Sequence, residues 1–334
     1  MSAKLSDIIQ KRTDESHKTY SFKEDHNPRI PADYWFQTST EGPVLFLVFF
    51  TQACRWAKCL GCNLPSKVTL SYIGFKDIMK QTNFVFMNLL SDRQKIDLNK
   101  IILSNNGSVL DEDTLSTTAL LYFIAQMNIN CPNIKVLTME SRPEYVDIEE
   151  LETIHRAIRE GETPTDIEIA IGFEAFDEKI RNEHFGKGLT LDVFEKLVEK
   201  LAYHKFKLKT YFMLKPVPDL SEENAIKDIK DGIHYLDSIA AQYNIDINMH
   251  LNPTYAAIGT PLAEAFAAGT FVPPTLESVK RAIKQAEGTR ISIFAGLSDE
   301  GLAVPGGSFL RPGDEPRVRV IEQFNQTQDF SFLA

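Results

Sequence analysis

Seven strand-like apolar runs, separated by amphipathic helical stretches, restrict this chain to a few folds. The runs are Val44–Phe50, Lys100–Ser104, Lys135–Met139, Asp166–Phe173, Lys207–Leu214, Asp246–Asn252 and Arg290–Ala295. Between them a helical period predicts helices over Tyr72–Leu90, Thr114–Asn128, Ile148–Arg159, Leu191–His204, Glu223–Ala241 and Thr275–Glu287. Ser221-Glu-Glu-Asn-Ala and the Asp111, Asp113, Thr114 group are N-cap signals ahead of two of these helices. Strand–helix alternation of this kind predicts parallel strands joined by helical crossovers. The fold class is therefore α/β, with a partial (β/α)6-type TIM barrel the best fit and a doubly wound sheet second. Residues 1–43 read as an N-terminal extension, 44–295 as the barrel, and 296–334 as a C-terminal extension packing on it. In that last part Val318–Phe324 predicts a strand or a short helix. Gly306–Gly313 reads as a lid over the barrel mouth or as a plain surface connection.

In a barrel of this kind the active site gathers at the C-terminal ends of the strands. The first strand runs into Thr51-Gln-Ala-Cys-Arg-Trp-Ala-Lys-Cys-Leu-Gly-Cys-Asn-Leu-Pro65, which carries Cys54, Cys59 and Cys62. The following strands end in Ser104-Asn-Asn-Gly-Ser108, Glu140-Ser-Arg-Pro143, Gly172-Phe-Glu-Ala-Phe176, Leu214-Lys-Pro216 and Asn252-Pro-Thr254. A shared site requires such a concentration of polar, charged and Gly/Pro residues on one face, although each segment alone is also ordinary turn chemistry.

Composition narrows the setting. The longest apolar run, Val44 to Phe50, is far shorter than the roughly 20 residues that cross a bilayer, so no membrane span is expected. The first twenty residues are polar and mixed in charge, unlike a signal or transit peptide. A cytoplasmic location follows, and clustered cysteines there read as metal ligands and not as disulfides. A net charge of −10 makes direct nucleic-acid binding weak or dependent on a partner. The lysine-rich run from Lys196 to Lys209 reads better as a solvated helix end entering a strand than as a basic face.

Three thiolates on one loop hold a metal centre and leave one position open. A structural zinc normally takes four ligands. The fourth cysteine, Cys131, lies before the third strand, at the opposite end of the barrel, and reads as a small buried hydrophobe. Zinc on three cysteines and one histidine, from His184, His204 or His250, stays open. A [4Fe–4S] cluster, with three irons on thiolates and one iron open, fits the loop better.

A three-cysteine loop after the first strand of a (β/α) barrel resembles the radical S-adenosylmethionine (radical SAM) superfamily. The spacing here, C-x4-C-x2-C, is one residue longer than the family's usual C-x3-C-x2-C. Gly61 stands where the family usually has an aromatic residue, and Trp56 is the aromatic available to shield the cluster. Glu140-Ser-Arg-Pro-Glu-Tyr145 is similar to the Glu-x-Arg-Pro-x-Tyr segment of a subgroup. That subgroup contains the Elongator catalytic subunit, the methylthiotransferases and coproporphyrinogen oxidase-like proteins. Asn105, Asn106, Gly107 and Ser108 resemble the glycine-containing segment whose backbone receives the methionine amino group of SAM. By the same resemblance Glu140 and Arg142 bind SAM, and Glu174 lies near its ribose. Phe185-Gly-Lys-Gly-Leu-Thr190 is similar to the stretch that follows in that subgroup.

A narrower resemblance, to the archaeosine-synthesis radical SAM proteins (RaSEA) and their bacterial relatives, rests on several further segments. These are Phe212-Met-Leu-Lys-Pro216, His250-Leu-Asn-Pro-Thr254, Gly259-Thr-Pro-Leu262, Phe271-Val-Pro-Pro274 and Ser298-Asp-Glu-Gly301.

The resemblance implies a cluster on Cys54, Cys59 and Cys62, SAM as cofactor, and an external electron donor of flavodoxin or ferredoxin type. The expected reaction is reductive SAM cleavage to a 5′-deoxyadenosyl radical that takes hydrogen from a substrate of unidentified class, with a modified nucleoside or tRNA-related one as the RaSEA-like option. Gln52 is placed to hydrogen-bond to the cluster, and Lys215, Tyr211 and His250 are candidates for substrate contact or proton donation. For each, a packing role competes. The alternatives are a zinc-binding hydrolase and a non-catalytic module that binds SAM or a cluster.

Overall fold

The structure, a computed structural model, describes residues 2–334, with side chains from residue 5 onward. Eight strands are hydrogen-bonded in chain order: β1 (Asp33–Ser39), β2 (Gly42–Val48), β3 (Lys100–Ser104), β4 (Val136–Ser141), β5 (Asp166–Glu174), β6 (Lys207–Leu214), β7 (Ile247–Pro253) and β8 (Ser292–Ala295). β1 pairs antiparallel with β2, whereas β2–β3, β3–β4, β6–β7 and β7–β8 are parallel. This is the strand order and connectivity of a partial (β/α) barrel, as expected, with seven strands, β2 to β8, and β1 added to the first of them as a hairpin. Helices fill the crossovers: α2 (Phe75–Phe84), α3 (Asp92–Asp97), α4 (Thr117–Asn130), α5 (Ile148–Ile158), α6 (Leu191–Tyr203), α7 (Glu222–Tyr243), α8 (Pro261–Ala267) and α9 (Leu276–Ile283). Outside them lie α1 (Ser2–Glu15) and α10 (Glu315–Thr327). Among the described residues no helix is long and apolar enough to cross a membrane.

The chain divides into two compact units. The first holds the chain up to Arg12, Ser21–Ala57 and Leu64–Ala170; the second holds Thr13–Tyr20, Lys58–Asn63 and Ile171–Ala334. β5 carries the chain from one to the other.

In the first unit the run Val44–Phe50 is buried on both faces, as a parallel strand covered by helices must be. Val44, Phe46, Val48 and Ile102 form one apolar cluster, and Trp35 of β1 stacks on Phe46 at 4.0 Å. Phe49, Phe86 and Phe123 pack the turn that follows α2, and α4, onto the end of β2. The expected helix over Tyr72–Leu90 instead begins at Phe75 and ends in a wide turn over Val85–Leu89, closed by Leu90 N–H to the Val85 carbonyl. Asp111 does not cap α4. Its carboxylate is held by the Arg55 guanidinium, and the helix starts at Ser116 without a side-chain cap.

In the second unit Phe173, Phe194 and Phe212 build the core between β5, β6 and α6. Ser221 caps α7 as expected, accepting from the Asn224 N–H. The segment Val318–Phe324 is helical, inside α10. From that helix Asn325 donates to and accepts from the backbone of Ala295, and Gln328, just past its end, does the same at Ile293. Two side-chain amides thereby cover the open edge of β8. Gly306–Gly313 is a packed connection and not a loose lid: Gly307 accepts from the Ala256 N–H, and Phe309 is fully buried.

Candidate metal and cofactor site

The cysteine loop leaves β2 through Phe49–Ala53, all buried. Cys54 belongs to the first unit, Cys59 and Cys62 to the second. All three are half-buried, Cys131 is buried, and among the described residues none of the four is in a disulfide. Among the described residues no group of three or more His, Cys, Asp or Glu side chains is gathered as a formed metal site.

In the first unit, Gln52 lies beneath the loop. Its Nε2 donates to the Leu70 carbonyl at 2.6 Å and to Ser6 Oγ at 3.1 Å, while its Oε1 is buried with no hydrogen-bond partner. The turn after β3 backs directly onto Cys54. A Cβ at Gly107 would lie 3.3 Å from the Cys54 Cα, so this approach suits glycine. Asn106 adopts a left-handed conformation (φ 55°) and donates through Nδ2 to the Leu64 carbonyl. Asn105 donates to the Ser108 carbonyl, and its Oδ1, beside Gly107, is buried without a partner. Ser108 Oγ accepts from the Arg142 N–H, which links this turn to the end of β4. Glu140 accepts through its carbonyl from the Val109 N–H.

The Arg142 guanidinium lies 4.2 Å from the Trp56 ring centroid, and its Nε donates to Glu144. Arg55 is bidentate on Asp111, adds Asp113 at 2.8 Å, and stacks on Tyr145 at 4.8 Å. Burial opposes the charge of Arg55, but the Asp111 contact outweighs it and raises the pKa.

In the second unit, Cys59 and Cys62 share a tight turn in which the Cys62 N–H donates to the Cys59 carbonyl. Gly61 lies inside that turn, where a Cβ would collide with Leu262. A larger residue at this position would have to displace the Leu262 side chain. Asn63 anchors the far end of the turn, donating to the carbonyls of Ile258 and Leu302. Phe185 accepts from the Leu60 N–H, and Gly186 (φ 79°) passes so close to the Lys58 carbonyl that a Cβ would lie 2.9 Å from it.

Glu174, also left-handed (φ 74°), pairs with Lys187 at 2.8 Å in the space that Gly172 leaves open. The Glu174 turn is fixed from behind by two buried charges. Arg181 donates to the carbonyls of Ala175, Phe176 and Leu189, and Asp228 accepts from the N–H groups of Phe176 and Asp177.

Tyr211, His250 and Phe294 form a row of rings across β6, β7 and β8, with centroids 4.9 Å apart at each step. Gly296 keeps the space beside His250 and Asn252 open. Lys215 Nζ is engaged by the Val272 carbonyl at 2.8 Å. His184 is exposed, and His204 lies against Tyr203 and Phe206. The lysine-rich run does not form a continuous basic face: Lys196 pairs with Asp192, and Lys209 is buried against Asn248.

Sequence reasoning overlooked Arg55, Arg181 and Asp228. For Arg181 and Asp228 the signal is a buried charge, which shows only once burial is known; for Arg55 it is the partner Asp111, far along the chain. In the first unit, a half-buried thiol with a glycine turn backed onto it and a buried orphan acceptor, Asn105 Oδ1, alongside suits a thiolate ligand next to an amine-bearing group; in the second, Cys59 and Cys62 are half-buried on one tight turn.

No family model matches the chain. It is 27% identical to archaeosine synthase subunit beta of Methanosarcina acetivorans over 264 residues, covering 77% of this chain and 72% of that one. It is 25% identical to archaeosine synthase subunit beta of Thermococcus kodakarensis over 310 residues, covering 87% of each. Among solved structures, a spore photoproduct lyase variant overlaps 97% of this chain and 91% of its own at TM-score 0.45 and 12% identity. The archaeal Elp3 of Methanocaldococcus infernus overlaps 66% of this chain, which spans 51% of that one, at TM-score 0.45 and 15% identity. The resemblance read from the sequence is met: the chain is similar over most of its length to archaeosine synthase beta subunits.

Proposed function

We propose that this chain, with archaeosine synthase beta subunits as its relatives, is a radical SAM enzyme. Cys54, Cys59 and Cys62 would hold a [4Fe–4S] cluster through three irons, the fourth iron being open to SAM. The observation that carries the reading is the glycine turn at Gly107 backed onto Cys54, with the buried Asn105 Oδ1 left to accept from a ligand. The chemistry such a cluster and SAM supply is one-electron cleavage of the sulfonium to methionine and a 5′-deoxyadenosyl radical, which takes a hydrogen atom from the substrate.

The chain's own residues bind and orient. The Asn105–Ser108 turn would receive the methionine amino group. Arg142, already held by Trp56 and Glu144, would clamp the carboxylate, since a guanidinium fork matches it in geometry. Glu140 would accept from the amine or a ribose hydroxyl, and Glu174 would accept from the ribose. Gln52 would hold the backbone under the loop. Tyr211 and His250 would face substrate, and Lys215 would join them on leaving the Val272 carbonyl.

The relatives' name supports a modified-nucleoside or tRNA-related substrate and a partner subunit. With a net charge of −10, the partner would supply most of the RNA contact. An electron donor of flavodoxin or ferredoxin type would reduce the cluster, and a cytoplasmic setting suits that supply.

The test is anaerobic reconstitution with iron and sulfide, then reduction in the presence of SAM. About four irons per chain, formation of 5′-deoxyadenosine, and loss of both in Cys59→Ala are the expected results. Stoichiometric zinc without iron would overturn the reading in favour of a zinc protein. A full cluster that never cleaves SAM, with substrate and partner present, would leave a binding module.

A further inference from the structure

The N-terminal helix reaches the cysteine loop through side chains that the reading above does not use. Ser6 of α1 donates to the Leu70 carbonyl at 2.7 Å and accepts from Gln52 Nε2, the residue two before Cys54. One helical face further along, Ile9 is fully buried. A turn beyond, Arg12 Nη1 donates to the carbonyl of Arg55, the residue after Cys54, and its guanidinium lies 5.8 Å from the Trp56 ring centroid. Each step of three residues turns by about 60°, so Ser6 and Arg12 flank the buried Ile9 on either side of its stripe, and they reach the backbone on both sides of Cys54.

Trp56 then passes the constraint on. The same indole carries the Arg142 guanidinium at 4.2 Å, nearer than Arg12. Arg142 is therefore not oriented by Glu144 alone; its plane is set by a ring on the cysteine loop, and that ring is held from the other end of the contact chain by α1. Arg55, within the same loop, is held by the buried Asp111 carboxylate.

We infer that α1 is part of the cofactor site, and that Arg12 and Trp56 are positioning residues. Arg12 fixes the backbone at Cys54–Arg55, and Trp56 fixes the guanidinium of Arg142 for a carboxylate ligand. The inference rests on the radical SAM reading and adds to it the N-terminal helix and the Arg12–Trp56–Arg142 relay.

The experiment uses the full chain, reconstituted anaerobically, as wild type and as Arg12→Ala, Arg12→Lys, Trp56→Leu and Trp56→Phe. Three quantities are read: iron per chain, the EPR spectrum of the reduced protein with and without SAM, and the Kd for SAM by anaerobic titration. Arg12→Ala and Trp56→Leu are expected to keep the wild-type iron content, to alter the SAM-induced change in the EPR spectrum, and to raise Kd about 3- to 10-fold. Trp56→Phe, which keeps a ring face, and Arg12→Lys, which keeps a donor, should recover at least half of each effect on a logarithmic scale.

If Trp56→Leu and Arg12→Ala both keep the wild-type spectrum and Kd, the inference is overturned. If Arg12→Ala does not fold, the Trp56→Leu and Trp56→Phe pair decides alone: equal Kd values in the two overturn the relay. Absence of a cluster in the wild type is a different result, because it removes the radical SAM reading itself.

Discussion

The Lys100 ammonium sits 2.9 Å from Glu168 Oε2 with both side chains almost fully buried, and Thr138 Oγ1 donates to the same carboxylate oxygen. Glu41 approaches Lys100 from a less buried position at 3.0 Å. Removing one partner leaves an uncompensated buried charge, which costs about 3–5 kcal/mol, while removing both together costs far less. Lys100→Met is expected to lose stability in that range by urea unfolding, and Lys100→Met with Glu168→Leu to recover most of it. Burial lowers the Lys100 pKa, but Glu168 and Glu41 together raise it above its ordinary value. A raised lysine contributes stability that is complete below its unfolded pKa of about 10.4 and lost only as pH climbs through the folded one. The lysine's contribution should therefore stay constant up to about pH 9 and fall only at higher pH.

Gly107 is the glycine whose added volume would meet the backbone of a cysteine. The Cβ of Gly107→Ala would press on backbone, the Cys54 Cα at 3.3 Å, so the loop must move. The thermal midpoint should fall by only roughly 2–3 °C, about 1 kcal/mol. Iron retained after reconstitution should fall by about half or more; iron retention equal to wild type would show that the contact does not govern the loop.

The four cysteines should divide three to one in chemical reactivity. Burial pushes the Cys131 thiol up to about 12, whereas Cys54, Cys59 and Cys62 are half-buried. At pH 8 the Cys131 thiolate fraction is on the order of 1 in 10,000. Alkylation of the metal-free chain, read by peptide mass spectrometry, should modify the three loop cysteines and leave Cys131 intact until urea is added.

Arg181 and Asp228 should respond differently to substitution. Arg181 is fully buried and donates to three carbonyls, so Arg181→Ala leaves acceptors unsatisfied and a cavity, a loss of about 3–4 kcal/mol. Burial holds the Asp228 carboxyl above the usual carboxylate range, the Phe176 and Asp177 N–H groups opposing. Asn keeps an acceptor without the buried charge, so Asp228→Asn should cost about 1 kcal/mol or less by the same unfolding measurement.

The strands were legible where burial is two-sided. Lys100–Ser104 has the bounds expected, because its apolar run declares a strand buried on both faces, and Lys207–Leu214 matches too, on its aromatic and β-branched content. α1 was not legible: its sequence is polar, and its one fully buried apolar residue, Ile9, gives no period. β1 escaped notice because an edge strand buries one face only, with Trp35 turned in and Tyr34 and Phe36 exposed. In the site, the cysteines and strand-end residues were legible because their chemistry is unusual for a surface. Arg12 was not, since nothing local distinguishes an arginine that donates to a carbonyl far along the chain. Asp111 had the spelling of a helix cap; its carboxylate instead holds the Arg55 guanidinium and accepts from the Asp113 N–H, two residues on, while α4 begins later, at Ser116.

The Thr19 N–H donates to the Gly259 carbonyl, and Gly259 is left-handed and too close to Tyr20 for any side chain. Synthesis delivers these partners far apart in time. A nascent chain halted before Gly259 holds Thr19 and Tyr20 with nowhere to dock, and a protease added at that stage should cut there. Maturation of this protein therefore ends where its chain is old, with an early segment tucked in against a late one.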